Sequence, residues 1–360
     1  MSLSLRITSG LTRLVGASFG TLTSPFITVP ALAILAWRPE SLAQYLPDDS
    51  VSGVWQKVLA ASALLGSIRI VNKMLNEMAT SNWRLLPAPD WQWQHEVAVI
   101  TGGCGGIGQE MARGLAEKGV QVAVLDVQVL PKALQGLERI SHYHCDLTSF
   151  ESIHDVAESV KKDLGHPSLL INNAGLTNQI EPTSKSGILH VTEKQLRRLF
   201  GVNCLSHWAT TREFLPTMIA RNKGHVVTIA SMASFVTCPM NVDYSASKIA
   251  ALSFHEGLTC ELKHIYKAPG ILTTVVHPSF VQTPMTAGMT EHNESRTGKQ
   301  LSRDLVANRV LEQLYRCKGG QIILPEAQTI LAGVRGWPNW LQEVLRDALG
   351  RDAAAPLGIV

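Results

Sequence analysis

An apolar run, Val97 to Thr101, leads directly into Gly102-Gly-Cys-Gly-Gly-Ile-Gly108, and a helix-forming stretch, Gln109 to Lys118, follows it and ends at Gly119. So many glycines in so short a segment suit neither a strand nor a helix interior. They impose a tight strand–turn–helix connection, and that connection constrains the rest of the chain. The same alternation recurs downstream. Val120 to Asp126 reads as a second strand and the stretch around His142 to Cys145 as a third. Ser168 to Asn172, His225 to Ala230, Ile271 to Val276 and Gln321 to Leu324 follow, with longer helical stretches between them. Short apolar runs separated by helices predict parallel strands joined by right-handed crossovers. The expected fold is α/β: a doubly wound parallel sheet of about seven strands.

In such a sheet the glycine turn has a chemical use. Glycines let the backbone approach a pyrophosphate, and the helix N-terminus behind them offers unpaired N–H groups and the positive end of its dipole. Two registers satisfy the pattern. Gly103, Gly105 and Gly108 fit GxGxxG, while Gly102, Gly106 and Gly108 fit TGxxxGxG. The strand before and the helix after favour dinucleotide binding over an ordinary tight turn. Asp126 closes the second strand. A carboxylate there accepts hydrogen bonds from ribose hydroxyls and repels a 2′-phosphate. With no Arg or Lys beside it or in the glycine loop, NAD is the preferred cofactor, and NADP is the alternative.

The N-terminal region has a different character. Apolar residues make up 45% of the chain and charged residues only 17%, below the usual quarter, and the deficit is concentrated before residue 90. No charge lies between Arg13 and Arg38, a stretch long enough to span a membrane, although Pro25, Pro30 and several hydroxyl residues interrupt it. A second uncharged run, Val58 to Ile68, is too short to span. Residues 1–90 are expected to form an apolar helical extension, either a span or a monotopic hairpin, and membrane association is favoured over a soluble helical cover. Residues 91–326 form the catalytic domain on this reading. Residues 327–360, with Trp337, Trp340, Leu341, Val344, Leu345 and Leu349, form an amphipathic tail that either covers the core or makes a second membrane contact. Residues 284–304, polar and rich in Thr, Ser and Gly, are expected to be a loop. A net charge of +3 gives no ground for a nucleic-acid partner. The six cysteines form no CxxC pair and are read as reduced and structural.

Of the tyrosines only Tyr244 has a lysine four residues on, Lys248, within Tyr-Ser-Ala-Ser-Lys. That spacing puts both side chains on one helical face. A free phenol titrates near 10, and a neighbouring ammonium favours its phenolate, making it competent to exchange a proton with a hydroxyl. Taken alone, a Tyr/Lys pair more often marks a surface helix. Its surroundings argue otherwise. Thr101 to Gly108 matches a TGxxxGxG loop, Asp146 follows the third strand, and Asn172-Asn173-Ala174-Gly175 follows the fourth. Asn203 lies in a long helical stretch from Thr192, Ser231 lies thirteen residues before Tyr244, and His277-Pro-Ser-Phe-Val-Gln-Thr283 follows the sixth strand. In this order, from about Glu96 to Pro325, the chain resembles the short-chain dehydrogenase/reductase family, with serine where the family's PGxxxT segment has glycine.

The resemblance implies roles. Tyr244 exchanges the proton, and Lys248 lowers its pKa and binds nicotinamide ribose. Ser231 polarises the substrate oxygen, with Ser234 as runner-up, and Asn203 holds a water that links Lys248 to solvent. Gly102, Gly106, Ile107, Gly108, Asp126, Asp146, Asn173, Ala174 and Gly175 bind the cofactor, and Val281 and Thr283 contact its carboxamide. Homodimerisation through the two long helices is the family habit. No metal is expected: His142, His144 and Cys145 are split between strand faces and fall short of a four-ligand set. His207-Trp208 is read as core or interface packing. The asparagine signature and the short C-terminal region argue against the epimerase-containing extended branch. The apolar N-terminus and Trp-containing tail resemble the membrane- or lipid-droplet-bound retinol and 17β-hydroxysteroid dehydrogenases. That resemblance implies a lipophilic alcohol or ketone as substrate (a retinoid, a steroid or a long-chain alcohol), with residues 284–304 as its lid, at the endoplasmic reticulum or a lipid droplet with the catalytic domain in the cytosol. The alternatives are a carbonyl reductase of a polyketide-like pathway and a non-catalytic, membrane-tethered nucleotide-binding protein.

Overall fold

In a computed structural model of the chain, residues 23–37, 49–84, 91–178, 187–237, 239–289 and 300–354 are described. The chain divides into two compact units, Met1–Ala79 and Thr80–Val360.

The second unit carries a seven-stranded sheet in the order β3-β2-β1-β4-β5-β6-β7. Its strands are β1 Val97–Thr101, β2 Gln121–Asp126, β3 Ile140–His144, β4 Leu169–Asn172, β5 Gly224–Ile229, β6 Ile271–Pro278 and β7 Gly320–Leu324. Every pairing is parallel. The five residues of β1 are all buried, as are the four of β4 and the eight of β6. This is the signature of strands covered on both faces. One face packs Met111, Leu115, Val310 and Leu314 against Ile100, Val124 and Ile171. The other packs Ile153, Phe214, Met218 and Leu258 against Val99, Leu125 and Leu170. The strand order reverses between β1 and β4, and in open α/β sheets the crevice beyond such a switch point receives the ligand.

The first unit holds α1 Pro25–Trp37 and α2 Asp49–Thr80. They pack as an antiparallel pair. Gln56 donates to the Leu35 carbonyl (3.1 Å), and Gly66 lies so close to the Thr23 carbonyl that a Cβ would be 1.7 Å from it. Among the described residues, the helix long and apolar enough to cross a membrane is the second. Its segment Gly53–Thr80 has 28 residues, within which an 18-residue window reaches a mean hydropathy of 1.4, whereas α1 has only 13 residues against the roughly 20 a span needs. Residues 14–22 of the first uncharged run lie outside the described residues. The run Val58 to Ile68 is thus the centre of a helix much longer than the run itself. Lys57, Arg69 and Lys73 end the uncharged stretch without ending the helix, because long basic side chains are good helix formers.

The tail forms a 3₁₀ segment, Glu326–Gly336, and a helix, Asn339–Ala354. Trp337 and Leu345 pack against the cluster Met232, Phe235, Ile323 and Val334, while Trp340 and Val344 face outward. The tail therefore covers the core with one face. Of the expected loop 284–304, Pro284–Met289 is a 3₁₀ turn and Arg303 opens a helix, with 290–299 outside the described residues.

Candidate active site

The glycine turn sits at the switch point, between β1 and α3 (Gly106–Glu117). Its backbone selects one of the two registers. Gly102 and Gly106 have φ of +65° and +56°, which L side chains adopt only with strain. A Cβ on Gly108 would lie 2.3 Å from the Gly102 carbonyl and 2.5 Å from Asn173 Nδ2. By contrast, Gly105 has extended backbone as the N-cap, with nothing within 4 Å of its absent Cβ. TGxxxGxG is the register the fold requires. The helix begins at Gly106, three residues earlier than the sequence pattern indicated, so Ile107 and Gly108 lie in its first turn with free backbone donors.

β4 braces this loop. Asn173 Nδ2 donates to the carbonyls of Thr101 and Gly102, both at 3.0 Å. The Thr101 hydroxyl accepts the backbone N–H groups of Asn173 (3.0 Å) and Ala174 (3.1 Å). At the end of β2 the buried Asp126 carboxylate accepts the N–H groups of Cys104 (2.9 Å) and Gln128 (3.0 Å). Burial and that carboxylate push the Cys104 thiol up to about 12, so it stays protonated. Asp146, exposed after β3, accepts from the backbone and hydroxyl of Thr148 (2.9 and 2.8 Å), which hold its carboxyl below the ordinary range. Thr283 closes over the turn: a Cβ on Gly106 would be 3.1 Å from its methyl group. Val281 is paired with Leu301. A strand–turn–helix cradle with positive-φ glycines, unpaired N–H donors and a strand-end carboxylate fits a dinucleotide.

Beyond β5 a second group of residues converges. Tyr244 and Lys248 lie one turn apart in α7 (Val242–His264). Lys248 is buried and donates to the Ile229 carbonyl at 2.9 Å, and its Nζ lies 5.8 Å from the Tyr244 ring centre. Burial lowers its pKa to about 8. Burial raises the Tyr244 phenol, while a hydrogen bond with Ser231 opposes that rise. The cause expected for Tyr244 was the lysine, and the group that offsets burial is Ser231. Asn203 lies in a π turn, Gly201–Leu205, that joins α5 (Glu193–Phe200) to α6 (Ser206–Arg221). It is fully buried, accepts from Leu176 N–H (2.7 Å) and donates to the Leu176 carbonyl (2.9 Å) and to Ser247 Oγ (3.0 Å). Such π turns recur at functional sites. A Cβ on Gly175 would stand 3.5 Å from Lys248 Nζ and 3.8 Å from Asn203 Oδ1, so the site residues expected beyond β4 and β5 share one locality. Ser234 is buried with its hydroxyl donated to the Lys248 carbonyl at 2.9 Å.

The family model for short chain dehydrogenases matches residues 96–294. The chain belongs to the short chain dehydrogenase family. It is therefore an NAD(P)-dependent oxidoreductase acting on CH–OH groups. Among its relatives, "Dehydrogenase RED2" of Cochliobolus heterostrophus is 38% identical, covering 52% of this chain and 68% of the relative. Human "Epidermal retinol dehydrogenase 2" is 36% identical, covering 57% and 67%, and falls in the subgroup the sequence resembles. A short chain dehydrogenase/reductase from Burkholderia phymatum, solved in complex with NAD, shares the fold at a TM-score of 0.60 and 24% identity, over 70% of this chain and 96% of that one.

Three residues of this dehydrogenase were not singled out from sequence. Thr101 holds two backbone N–H groups, Ser247 holds Asn203, and His277 accompanies Ser231. A signal existed for each: a polar side chain inside an otherwise apolar strand or on a buried helical face. His207 is fully buried with its ring edge-on to Phe254 at 5.7 Å, and burial lowers its pKa to about 3. At the end of β3, His144 is exposed, and Cys145, the next residue, belongs to the core. His154, Glu158 and Glu213 also lie together on the surface, but the Lys161 ammonium already sits 2.8 Å from Glu158 and 3.6 Å from Glu213.

Proposed function

We propose that this dehydrogenase oxidises or reduces a lipophilic alcohol or ketone, a retinoid, a steroid or a long-chain alcohol, with Tyr244, Lys248, Ser231 and Asn203 as its working residues. The observation that carries the assignment is the convergence of Lys248, Asn203 and Gly175 beyond β4 and β5, with the Tyr244 ring centre 5.8 Å from Lys248 Nζ.

The bound nicotinamide supplies the hydride acceptor or donor. The chain does the rest. Gly106, Ile107 and Gly108 would present backbone donors to the pyrophosphate, Gly102, its own N–H held by the Leu125 carbonyl at 2.8 Å, would turn the chain past it, and Asn173, Ala174 and Gly175 line the adjoining strand end. Asp126 accepts from the adenosine ribose, which supports NAD over NADP, and Asp146 borders the adenine. Val281 and Thr283 would hold the carboxamide of the bound cofactor. Tyr244 gives its phenolic proton to the substrate oxygen during reduction and takes it back during oxidation. Ser231 donates to that same oxygen and disperses its developing charge. Lys248, a buried cation, favours the phenolate and offers N–H groups to the ribose. Asn203 fixes the path by which Lys248 exchanges protons with solvent. Ser231 acts by hydrogen bonding and not as a nucleophile, since the Pro278 carbonyl and the Ala233 N–H are the partners of its hydroxyl and neither is a histidine or carboxylate that could take its proton.

A lipophilic substrate is supported by the retinol-named relative and by the first unit. Phe26, Trp37, Trp55, Leu64, Ile68 and Met74 are all exposed on the α1–α2 pair, and exposed apolar side chains gathered on one element mark a surface that meets a membrane or a partner. We read it as a membrane anchor at the endoplasmic reticulum or a lipid droplet, followed by a catalytic domain in the cytosol that is able to form a homodimer. The test is the initial rate of NADH formation by detergent-solubilised protein on retinol, steroid alcohols and long-chain alcohols, with NADP as comparator. Turnover confined to small polar alcohols would overturn the substrate class. Recovery of the full chain in the soluble fraction after alkaline extraction would overturn the anchor.

A further inference from the structure

Ser231 is useful only if its hydroxyl points at the substrate oxygen, and the end of β6 holds it from behind. His277, one of the last residues of β6, is fully buried. Its Nδ1 lies 3.1 Å from the Ser231 carbonyl oxygen. A carbonyl only accepts, so Nδ1 carries the hydrogen. Its Nε2 lies 3.3 Å from the side-chain nitrogen of Gln321 in β7. An amide nitrogen only donates, so Nε2 is the acceptor. Turning the Gln321 amide over would require hydrogen on both ring nitrogens, an imidazolium, and burial disfavours that cation: the pKa of His277 is lowered to about 4. The ring is also wedged against Phe235, centres 4.4 Å apart. The next residue, Pro278, offers its carbonyl to the Ser231 hydroxyl at 3.4 Å. β6 thus grips Ser231 at both its backbone and its side chain.

We propose that His277 is a positioning residue, a neutral strut locked as the Nδ1–H tautomer by Gln321, that fixes the Ser231 backbone and so aims its hydroxyl at the substrate oxygen. This rests on the role given to Ser231 above. The strut makes polarisation of that oxygen depend on Gln321 of β7, whose side chain need not touch the substrate.

Two readouts test it on the full chain in detergent. The first is independent of turnover: ¹⁵N-histidine labelling with two-bond ¹H–¹⁵N correlation, the His277 signal being the one lost in His277→Asn. The expected wild-type signal is the Nδ1–H tautomer, and Gln321→Leu should release it toward the Nε2–H form. The second is kinetic. His277→Leu should lower kcat by about ten- to hundredfold, the range for a misaimed catalytic group. NADH affinity, measured by fluorescence, should stay within about twofold, because the cofactor loop is untouched. His277→Asn keeps an N–H near the Nδ1 position and should recover most of kcat. An Nε2–H tautomer in the wild type, or equal kcat in the Leu and Asn variants, would overturn the strut. If His277→Leu does not fold, the tautomer readout with Gln321→Leu decides alone. Silence of the wild type toward every alcohol would remove the oxidoreductase reading, and the tautomer would still decide whether His277 braces Ser231.

Discussion

The two halves of the sheet work by different means. On the β2–β1 side the function lies in the backbone: glycines with positive φ, a helix N-terminus and N–H groups. Side chains there, such as Asp126 and Asn173, mostly hold that backbone in place. On the β5–β6 side the proposed function lies in polar side chains from α5–α6, α7 and the strand ends: Asn203, Lys248 and His277, which are buried, and Ser231 and Tyr244, which are half-buried. The difference teaches where each half is fragile. A backbone cradle fails when an atom is added to it, since a Cβ has nowhere to go. A buried polar network fails when an atom is taken away, since its partners are left unsatisfied.

Four measurements sharpen or break this contrast. The largest effect is expected on the side-chain half. Tyr244→Phe removes one oxygen and should cut kcat by about a thousandfold, within the range for loss of a general acid, while NADH binding measured by fluorescence persists. Retained turnover would break the assignment of the proton to Tyr244. Second, on the backbone half, Gly108→Ala adds one carbon against the Gly102 carbonyl and should weaken NADH binding by roughly tenfold or more, the overpacking cost being about 1–3 kcal/mol. Gly105→Ala, with open space around it, should bind as the wild type does, and equal effects at the two positions would remove the register assigned here. Third, Asp126→Ser should move the NADP-to-NAD ratio of kcat/KM upward by about tenfold, one strong polar contact being worth about that much. An unchanged ratio would mean that Asp126 only braces Cys104 and Gln128.

The smallest effect is a slope with pH. Burial lowers His207 and His225 to about 3, and His255 and His277 to about 4, against about 6.5 in an unfolded chain. Between those values and 6.5 the unfolded state binds more protons than the native one. Stability is therefore complete above about 6.5 and is lost as pH falls toward 4. The Tm should decline over that window, and His207→Phe should flatten the decline with little effect on turnover at neutral pH. A Tm independent of pH there would show that these rings take up protons alike in the native and unfolded states.

The sequence by itself determined everything whose cause is local. Runs of apolar residues set the order of strands and helices. The glycines marked the turn, Asp126 and Asn173 stood at the ends of their strands, and Tyr244 and Lys248 stood four apart on a helix. Only the tertiary structure decided between the two glycine registers, because the choice depends on the positive φ of Gly102 and Gly106, on what a Cβ at Gly102 would strike, Ala174, a residue remote in the chain, and on the open space at Gly105. It turned the expected continuous helix around Asn203 into a π turn held by Leu176 and Ser247. Among the described residues it placed a helix of membrane length at Gly53–Thr80, where the sequence showed an uncharged run too short to span, since a helix continues through a charge that ends an uncharged stretch. It also set His277 between Ser231 and Gln321, residues 46 and 44 positions away. A hydrogen bond between distant residues leaves no periodicity in the sequence, and only the packing that brings them together reveals it.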